Sequence, residues 1–332
     1  MIKEKSVLLI GGAGYVGNVI AIHFLSLGYR VRVLDNFIYS HDFAIKELIE
    51  NEKYEFVFGD FSDFQKLDEV SMNIENVVIL GGLVGDPITK AYPLESKLIN
   101  EKGVFSCMDY FDNKPISKLI FISTCSNYGL IGENELADEN FELNPLSLYA
   151  KAKVSAESHL LSKRNKVNYT ATILRFATAF GLSPRMRFDL SISEFVRDIY
   201  FGEELQVFDE NTWRPYCHIS DFARLIELVF KAESKKVDFE VFNAGGDLNN
   251  FTKKMIVDTI ISYVPNAKVK YVANGTDPRN YRVSFKKVKD ILGFEPNYSV
   301  NYGVEELLGA FQKGLYLDST SNKYKYGNYK IV

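Results

Sequence analysis

The chain has 332 residues, 46% of them hydrophobic and 25% charged, with a formal net charge of −4. That length and balance can bury a large core, either in one α/β unit or in two closely associated lobes, and give no general support for nucleic-acid binding. Three widely spaced cysteines, Cys107, Cys125 and Cys217, argue against a disulfide framework or a zinc site, so no metal is expected. The sequence contains no apolar run of membrane-spanning length and no signal-like start, which points to a cytoplasmic protein with no membrane partner.

In chain order, Val7 to Ile10 is an apolar strand that runs directly into Gly11-Gly12-Ala13-Gly14-Tyr15-Val16-Gly17. Asn18 to Leu25 then reads as a helix packed beside that strand, and Arg30 to Asp35 as a second strand with an acidic end. Short apolar segments at Glu55 to Phe58, Asn76 to Leu80 and Lys118 to Ile122 alternate with mostly helical connections, the order of a buried parallel sheet covered by helices. A helix over Tyr149 to Leu161 and a strand over Thr170 to Arg175 follow. The expected fold class is therefore α/β, a Rossmann-type, mostly parallel sheet over residues 1–180. Residues 181–332 form mainly a smaller C-terminal lobe, with some segments returning to the main sheet. There the chain predicts a helix over Ile192 to Tyr200, a strand over Leu205 to Phe208 and a loop around Trp213-Arg214-Pro215-Tyr216 before another helix. Phe239 to Asn243 is a candidate return strand, Asn250 to Thr252 a helix entry, and Tyr324 to Tyr329 a peripheral segment.

The glycine turn sits where a dinucleotide pyrophosphate needs it. Gly12 permits the tight turn, Gly14 close phosphate approach, and Gly17 tight packing where the helix begins, while Gly11 adds clearance. Asp35 is placed to accept hydrogen bonds from a ribose diol. A 2′-phosphate would bring like charge against it, so NAD is favoured over NADP. Tyr149 and Lys153, four residues apart, share a helix face, and a cation near the phenol favours the phenolate needed for proton transfer. Thr124 can orient a substrate oxygen. Its alternative is to cap the loop after its strand, as Ser123 and Ser126 also can.

With these motifs in order, the sequence resembles the extended short-chain dehydrogenase/reductase family, in particular its NAD-dependent nucleotide-sugar epimerase/dehydratase group. The resemblance rests on Gly11 to Gly17, Asp35, Gly59-Asp60, Ser123 to Gly129, Tyr149-Ala150-Lys151-Ala152-Lys153 and the Arg214 segment. It implies that Thr124 orients the reacting oxygen, that Tyr149 is the acid/base, and that Lys153 tunes Tyr149 and holds the nicotinamide ribose. It further implies cofactor contacts from Gly11, Gly14, Tyr15, Val16 and Gly17, and from Asp35, Asn36, Asp60 and Phe61. Leu80, Gly81 and Phe176 would lie along the cofactor, with Asn100 in the supporting interior. Thr178, Arg214 and Arg279 would join Thr124 in binding a nucleotide-diphosphate sugar, with Arg185, Arg187 and Arg282 enlarging the positive surface. A homodimer is implied as well.

Related dehydratases carry Thr-Asp-Glu where this chain has Thr124-Cys125-Ser126. Without those carboxylates, a 4-epimerase or C4 oxidoreductase working through a 4-keto sugar is favoured. A 4,6-dehydratase and a non-catalytic dinucleotide sensor are the alternatives.

Overall fold

The computed structural model describes residues 5–132, 135–275, 277 and 279–332. The first half alternates strand and helix: β1 (Ser6–Ile10), α1 (Tyr15–Ser26), β2 (Arg30–Asp35), β3 (Tyr54–Phe58), α2 (Phe64–Ser71) and β4 (Asn76–Ile79). Next come α3 (Asp86–Ala91), α4 (Pro93–Lys97), a π-helical turn (Leu98–Gly103), α5 (Val104–Tyr110), β5 (Lys118–Thr124), α6 (Leu148–Leu161) and β6 (Thr170–Phe176). The second half comprises β7 (Thr178–Phe180), α7 (Ser191–Tyr200), β8 (Leu205–Phe208), β9 (Trp213–His218), α8 (Ile219–Lys231) and α9 (Ser234–Val237). It continues through β10 (Glu240–Ala244), β11 (Asn250–Thr252), α10 (Lys253–Tyr263), β12 (Val269–Val272), α11 (Lys286–Leu292) and α12 (Val300–Gln312).

Seven strands form one sheet in the order β10-β6-β5-β4-β1-β2-β3, parallel at every pairing. Because helices cover both faces, the inner strands carry almost no polar alternation: β1, β4, β5 and β6 are buried throughout. The strand order reverses between β1 and β4, so the crevice that accepts ligands in such sheets opens at their carboxyl ends. Backbone crossings fix it: Gly11 N donates to Leu34 O at 2.7 Å, and Leu80 N and Gly81 N both donate to Ile10 O at 2.9 Å.

The smaller lobe rests on this edge. Its three-stranded sheet runs β11-β9-β7, and β12 pairs with β8. β7 begins before residue 181, while β10, the return strand expected at Phe239 to Asn243, pairs with β6 in the main sheet. Thr252 caps α10 by accepting from Met255 N at 3.1 Å, so the expected helix entry follows the short strand β11.

Two expectations are corrected. The Trp213 to Tyr216 segment is a strand, flanked by β7 and β11, rather than a loop. Pro215 lacks a ladder donor, which argues against a central strand, but both neighbours have only three residues and demand few hydrogen bonds. The segment containing Tyr324 to Tyr329 is likewise not simply peripheral, since Tyr326 and Asn328 are buried. All three cysteines are free and buried. Among the described residues, no helix is long and apolar enough to cross a membrane, and no cluster of potential metal ligands occurs.

Candidate active site

The glycine turn, the strand ends and the smaller lobe enclose a cleft of about 820 Å³, a size that suits a cofactor together with a substrate. At its floor the main chain is drawn together so tightly that side chains are excluded. A Cβ on Gly11, where φ is +72°, would lie 2.3 Å from Gly81 Cα, and one on Gly17 would lie 2.4 Å from Gly12 O. On Gly14 a Cβ would meet only Gly11 O, at 3.9 Å, so that face is open. Gly14 is also the N-cap of α1, makes no side-chain cap bond, and is followed by no acidic residue in the first turn. The free N–H groups and the positive end of a 12-residue helix thus meet in an open, glycine-lined hollow, the arrangement that receives a pyrophosphate.

Asp35, at the end of β2, accepts from Ala13 N at 3.0 Å and Phe37 N at 2.9 Å. Each carboxylate oxygen takes one backbone hydrogen bond there and retains acceptor capacity toward the cleft. Asn36 reaches Asp60 at 3.3 Å, and Asp60 accepts from Ser62 N at 2.7 Å, holding those two loops in register. Tyr15, Val16, Phe61, Leu80, Gly81 and Phe176 line the same cleft, with Phe176 fixed by a 3.7 Å ring stack on Phe222. Tyr15 also donates to Gly181 O at 2.7 Å, tying α1 to the smaller lobe. Asn100 stands behind the wall, where its amide brackets Leu83: Oδ1 accepts from Leu83 N at 2.7 Å and Nδ2 donates to Leu83 O at 2.9 Å.

Thr124, Tyr149 and Lys153 line this cleft together. Thr124 ends β5 and accepts from Ser126 N at 3.1 Å, so it also caps the turn that follows. Ser147 caps α6 by accepting from Ala150 N at 3.1 Å, which sets Tyr149 in the first turn and Lys153 one turn later. Lys153 Nζ donates to Ile122 O at 2.7 Å and lies 5.9 Å from the centre of the Tyr149 ring. Burial pushes the Lys153 ammonium down to about 8, against the opposing pull of Glu157. The phenol of Tyr149 is held above its ordinary value by burial and then by Asp86, while Arg187 and the hydroxyl of Thr124 act the other way. Two cations therefore stand near Tyr149, Arg187 from the cleft wall and Lys153 from the same helix.

Behind these groups is a buried network that sequence reasoning missed. Glu157 accepts from Ser123 Oγ at 2.5 Å, Asn127 Nδ2 at 2.8 Å and Arg175 at 2.7 Å, and so links β5, α6 and β6. Its signal was available: Glu157 lies one turn beyond Lys153, and Arg175 is a charge inside an otherwise uncharged strand. Cys125 points into this interior, its Sγ donating to Arg175 O at 3.1 Å, and Ser126 pairs with Tyr281 at 3.2 Å.

At the lobe side, Thr178, Arg214 and Arg279 line the cleft along with Arg185 and Arg187. Asp277, also missed, joins two of them: Arg214 reaches it at 2.9 Å, and Arg279 through Nε at 2.8 Å and NH2 at 2.7 Å. Burial would raise the Asp277 carboxyl, but Arg279 and Arg214 overcome it and hold the group well below the usual range. Arg187 makes a forked pair with Asp189 at 2.9 and 2.5 Å. Arg282 does not line the cleft; it lies over the Trp213 ring at 5.3 Å, beside a separate shallow hollow, and so adds nothing to the cleft's positive wall. Asn328 closes one side, donating to Val84 O at 2.9 Å and accepting from Arg185 at 2.7 Å.

Comparison with known proteins agrees with this architecture. Residues 7–245 match the model of the NAD dependent epimerase/dehydratase family. A UDP-glucuronate 4-epimerase of Thermodesulfobacterium geofontis is 26% identical, covering 90% of this chain and 93% of its own. In structure, the chain is similar to a dTDP-glucose 4,6-dehydratase of Streptomyces venezuelae with NAD and TYD bound (TM-score 0.84, 21% identity, 93% and 97% coverage). It is also similar to a UDP-glucose 4-epimerase of Thermotoga maritima with UDP-glucose (TM-score 0.83, 24% identity, 93% and 99% coverage).

Proposed function

The chain belongs to the NAD dependent epimerase/dehydratase family, and from that premise we propose that it is an NAD-dependent nucleotide-sugar 4-epimerase or C4 oxidoreductase. The observation that carries this reading is the meeting of Thr124, Tyr149 and Lys153 in the same cleft as the glycine turn. NAD fits the open hollow at Gly14 and the spare acceptor capacity of Asp35, and when bound it supplies a hydride acceptor and donor for C4 of the sugar. Tyr149 handles the proton. Its buried phenol keeps that proton, the form that donates to a C4 carbonyl oxygen; in the oxidising direction the phenolate, which the Lys153 ammonium and the positive charge of oxidised nicotinamide would favour, takes the C4 hydroxyl proton. Thr124 orients the same oxygen, and Lys153, fixed on Ile122 O, holds its ammonium toward the nicotinamide ribose. Arg214 and Arg279 serve the diphosphate, with Thr178 beside them.

The dehydratase alternative is disfavoured at the positions after Thr124. Cys125 is turned into the core and Ser126 is paired with Tyr281, so neither offers a carboxylate for elimination. The homodimer implied by the family resemblance has apolar area available on neighbouring helical segments, where Leu94, Leu98 and Leu148 are 75%, 55% and 48% exposed. The test is Tyr149→Phe. NAD affinity should stay within about twofold while conversion of the nucleotide sugar falls by about 10²–10⁴-fold, the range expected for losing a general acid–base. Undiminished turnover rejects the assignment of Tyr149. Cofactor binding with no turnover in the wild type, coupled to ligand-dependent partner binding, favours the sensor alternative.

A further inference from the structure

Asp86 begins α3 in the wall of the cleft, immediately after Gly85, whose φ of +116° turns the chain into the site. One of its oxygens, Oδ2, is tied to Arg279 NH1 at 2.7 Å. The other, Oδ1, is buried and has no hydrogen-bond partner among the described residues. A charged acceptor removed from water and left without a donor is costly, and a ligand group that donates to it recovers that cost. Arg279 reaches only Oδ2, its Nε and NH2 being turned to Asp277. Arg187, the other cation near this wall, is committed to Asp189 through a fork. Asp86 also acts on Tyr149 more strongly than any other acidic group, which puts it at the reacting end of the cleft.

We propose that Asp86 Oδ1 accepts a hydrogen bond from a hydroxyl or amino group of the substrate's hexose, making Asp86 a specificity-determining residue that admits neutral hexosyl groups and excludes hexuronosyl groups. The assignment rests on the nucleotide-sugar reading above. A sugar carboxylate at this place would face Asp86 with like charge, and the two guanidinium groups beside it, those of Arg279 and Arg187, are already paired with carboxylates. A sugar hydroxyl supplies the missing donor, and a charge-assisted hydrogen bond of this kind commonly changes affinity tenfold or more.

The experiment is calorimetric titration of NAD-loaded wild type, Asp86→Asn and Asp86→Ala with glucosyl and glucuronosyl compounds carried on the same nucleotide, for each of UDP, dTDP, GDP and CDP. The wild type should bind the glucosyl member of at least one pair tenfold or more tightly than the glucuronosyl member. Asp86→Ala should weaken the glucosyl member at least tenfold, and Asp86→Asn should narrow the preference to less than threefold, with NAD affinity unchanged in both variants. A wild type that binds both members equally or prefers the acid, or variants that keep the preference, overturns the role of Asp86 alone. A wild type that takes NAD but neither member of any pair overturns the nucleotide-sugar reading together with it.

Discussion

The ammonium of Lys153 is buried in the wall of the cleft, between the carbonyl of Ile122 and the ring of Phe121, 4.6 Å away. Burial lowers its pKa in the folded chain to about 8, whereas the unfolded chain keeps the ordinary value of 10.5. Between those values the unfolded chain binds more protons, so this group's contribution to stability rises with pH. Below pH 8 its burial penalty is present in full; by about pH 10.5 the wild type should have gained about 3 kcal/mol relative to Lys153→Met. Denaturant unfolding of the two proteins across that range checks the sign, and a difference that stays flat or falls contradicts it. Thr124, Tyr149 and Lys153 were legible in the sequence because each follows from local spacing or from an ordered motif. Asp277, Asp86 and Glu157 were not singled out. The tie of Asp277 to Arg214 and that of Asp86 to Arg279 each span a long stretch of chain, and an acidic residue in a loop or at a helix start ordinarily reads as solvated.

The segment that follows α12 shows the same limit for an element. It makes no regular strand or helix, but its main chain and side chains fasten the chain at Phe188-Asp189, at Ile38 and at Val84, around the cleft. Phe188 N donates to Tyr326 O at 2.7 Å, Asn328 N donates to Asp189 at 3.2 Å, and Val332 N donates to Ile38 O at 3.0 Å. Asn328 also bridges Val84 and Arg185, so its truncation leaves a backbone carbonyl without its partner and a buried guanidinium with only its longer contact to Gly327 O, at 3.4 Å. Asn328→Ala should therefore cost about 2 kcal/mol of stability, measured by denaturant unfolding, whereas a loss below about 0.5 kcal/mol, the range of an ordinary surface substitution, would show the segment to be merely laid on the surface. Alternating polar and aromatic residues gave no period by which to read this role. The strands of the main sheet, by contrast, were readable because they are short apolar runs buried on both faces. β9 was not, since Arg214 and Pro215 interrupt its apolar pattern and its neighbours lie far away in sequence.

At the scale of the whole molecule, two sheets meet at one cleft and bring different chemistry to it. The parallel sheet contributes the glycine turn, Asp35 and, through β5 and α6, the Thr124, Tyr149 and Lys153 group. The smaller lobe contributes Thr178, Arg214 and Arg279 on a wall whose charges are largely paired with Asp277, Asp86 and Asp189. A dinucleotide-binding module would need only the glycine turn and Asp35; Thr124, Tyr149 and Lys153 together with the lobe's arginines have a purpose if a sugar bearing phosphate groups is held against Tyr149. The 4-epimerase and C4 oxidoreductase readings, with the hydride returned to the same sugar or left on the cofactor, share every one of these residues, so the geometry of the cleft fits both and only the product separates them. The most direct measurement is mass spectrometry and NMR of the products formed from UDP-, GDP-, CDP- and dTDP-linked sugars with added NAD or NADH. The account predicts a change confined to C4 of the sugar: inverted configuration at unchanged mass for an epimerase, or a two-hydrogen mass change for an oxidoreductase. Loss of one water from the sugar, or no conversion of any nucleotide sugar by protein that binds the cofactor, would contradict it.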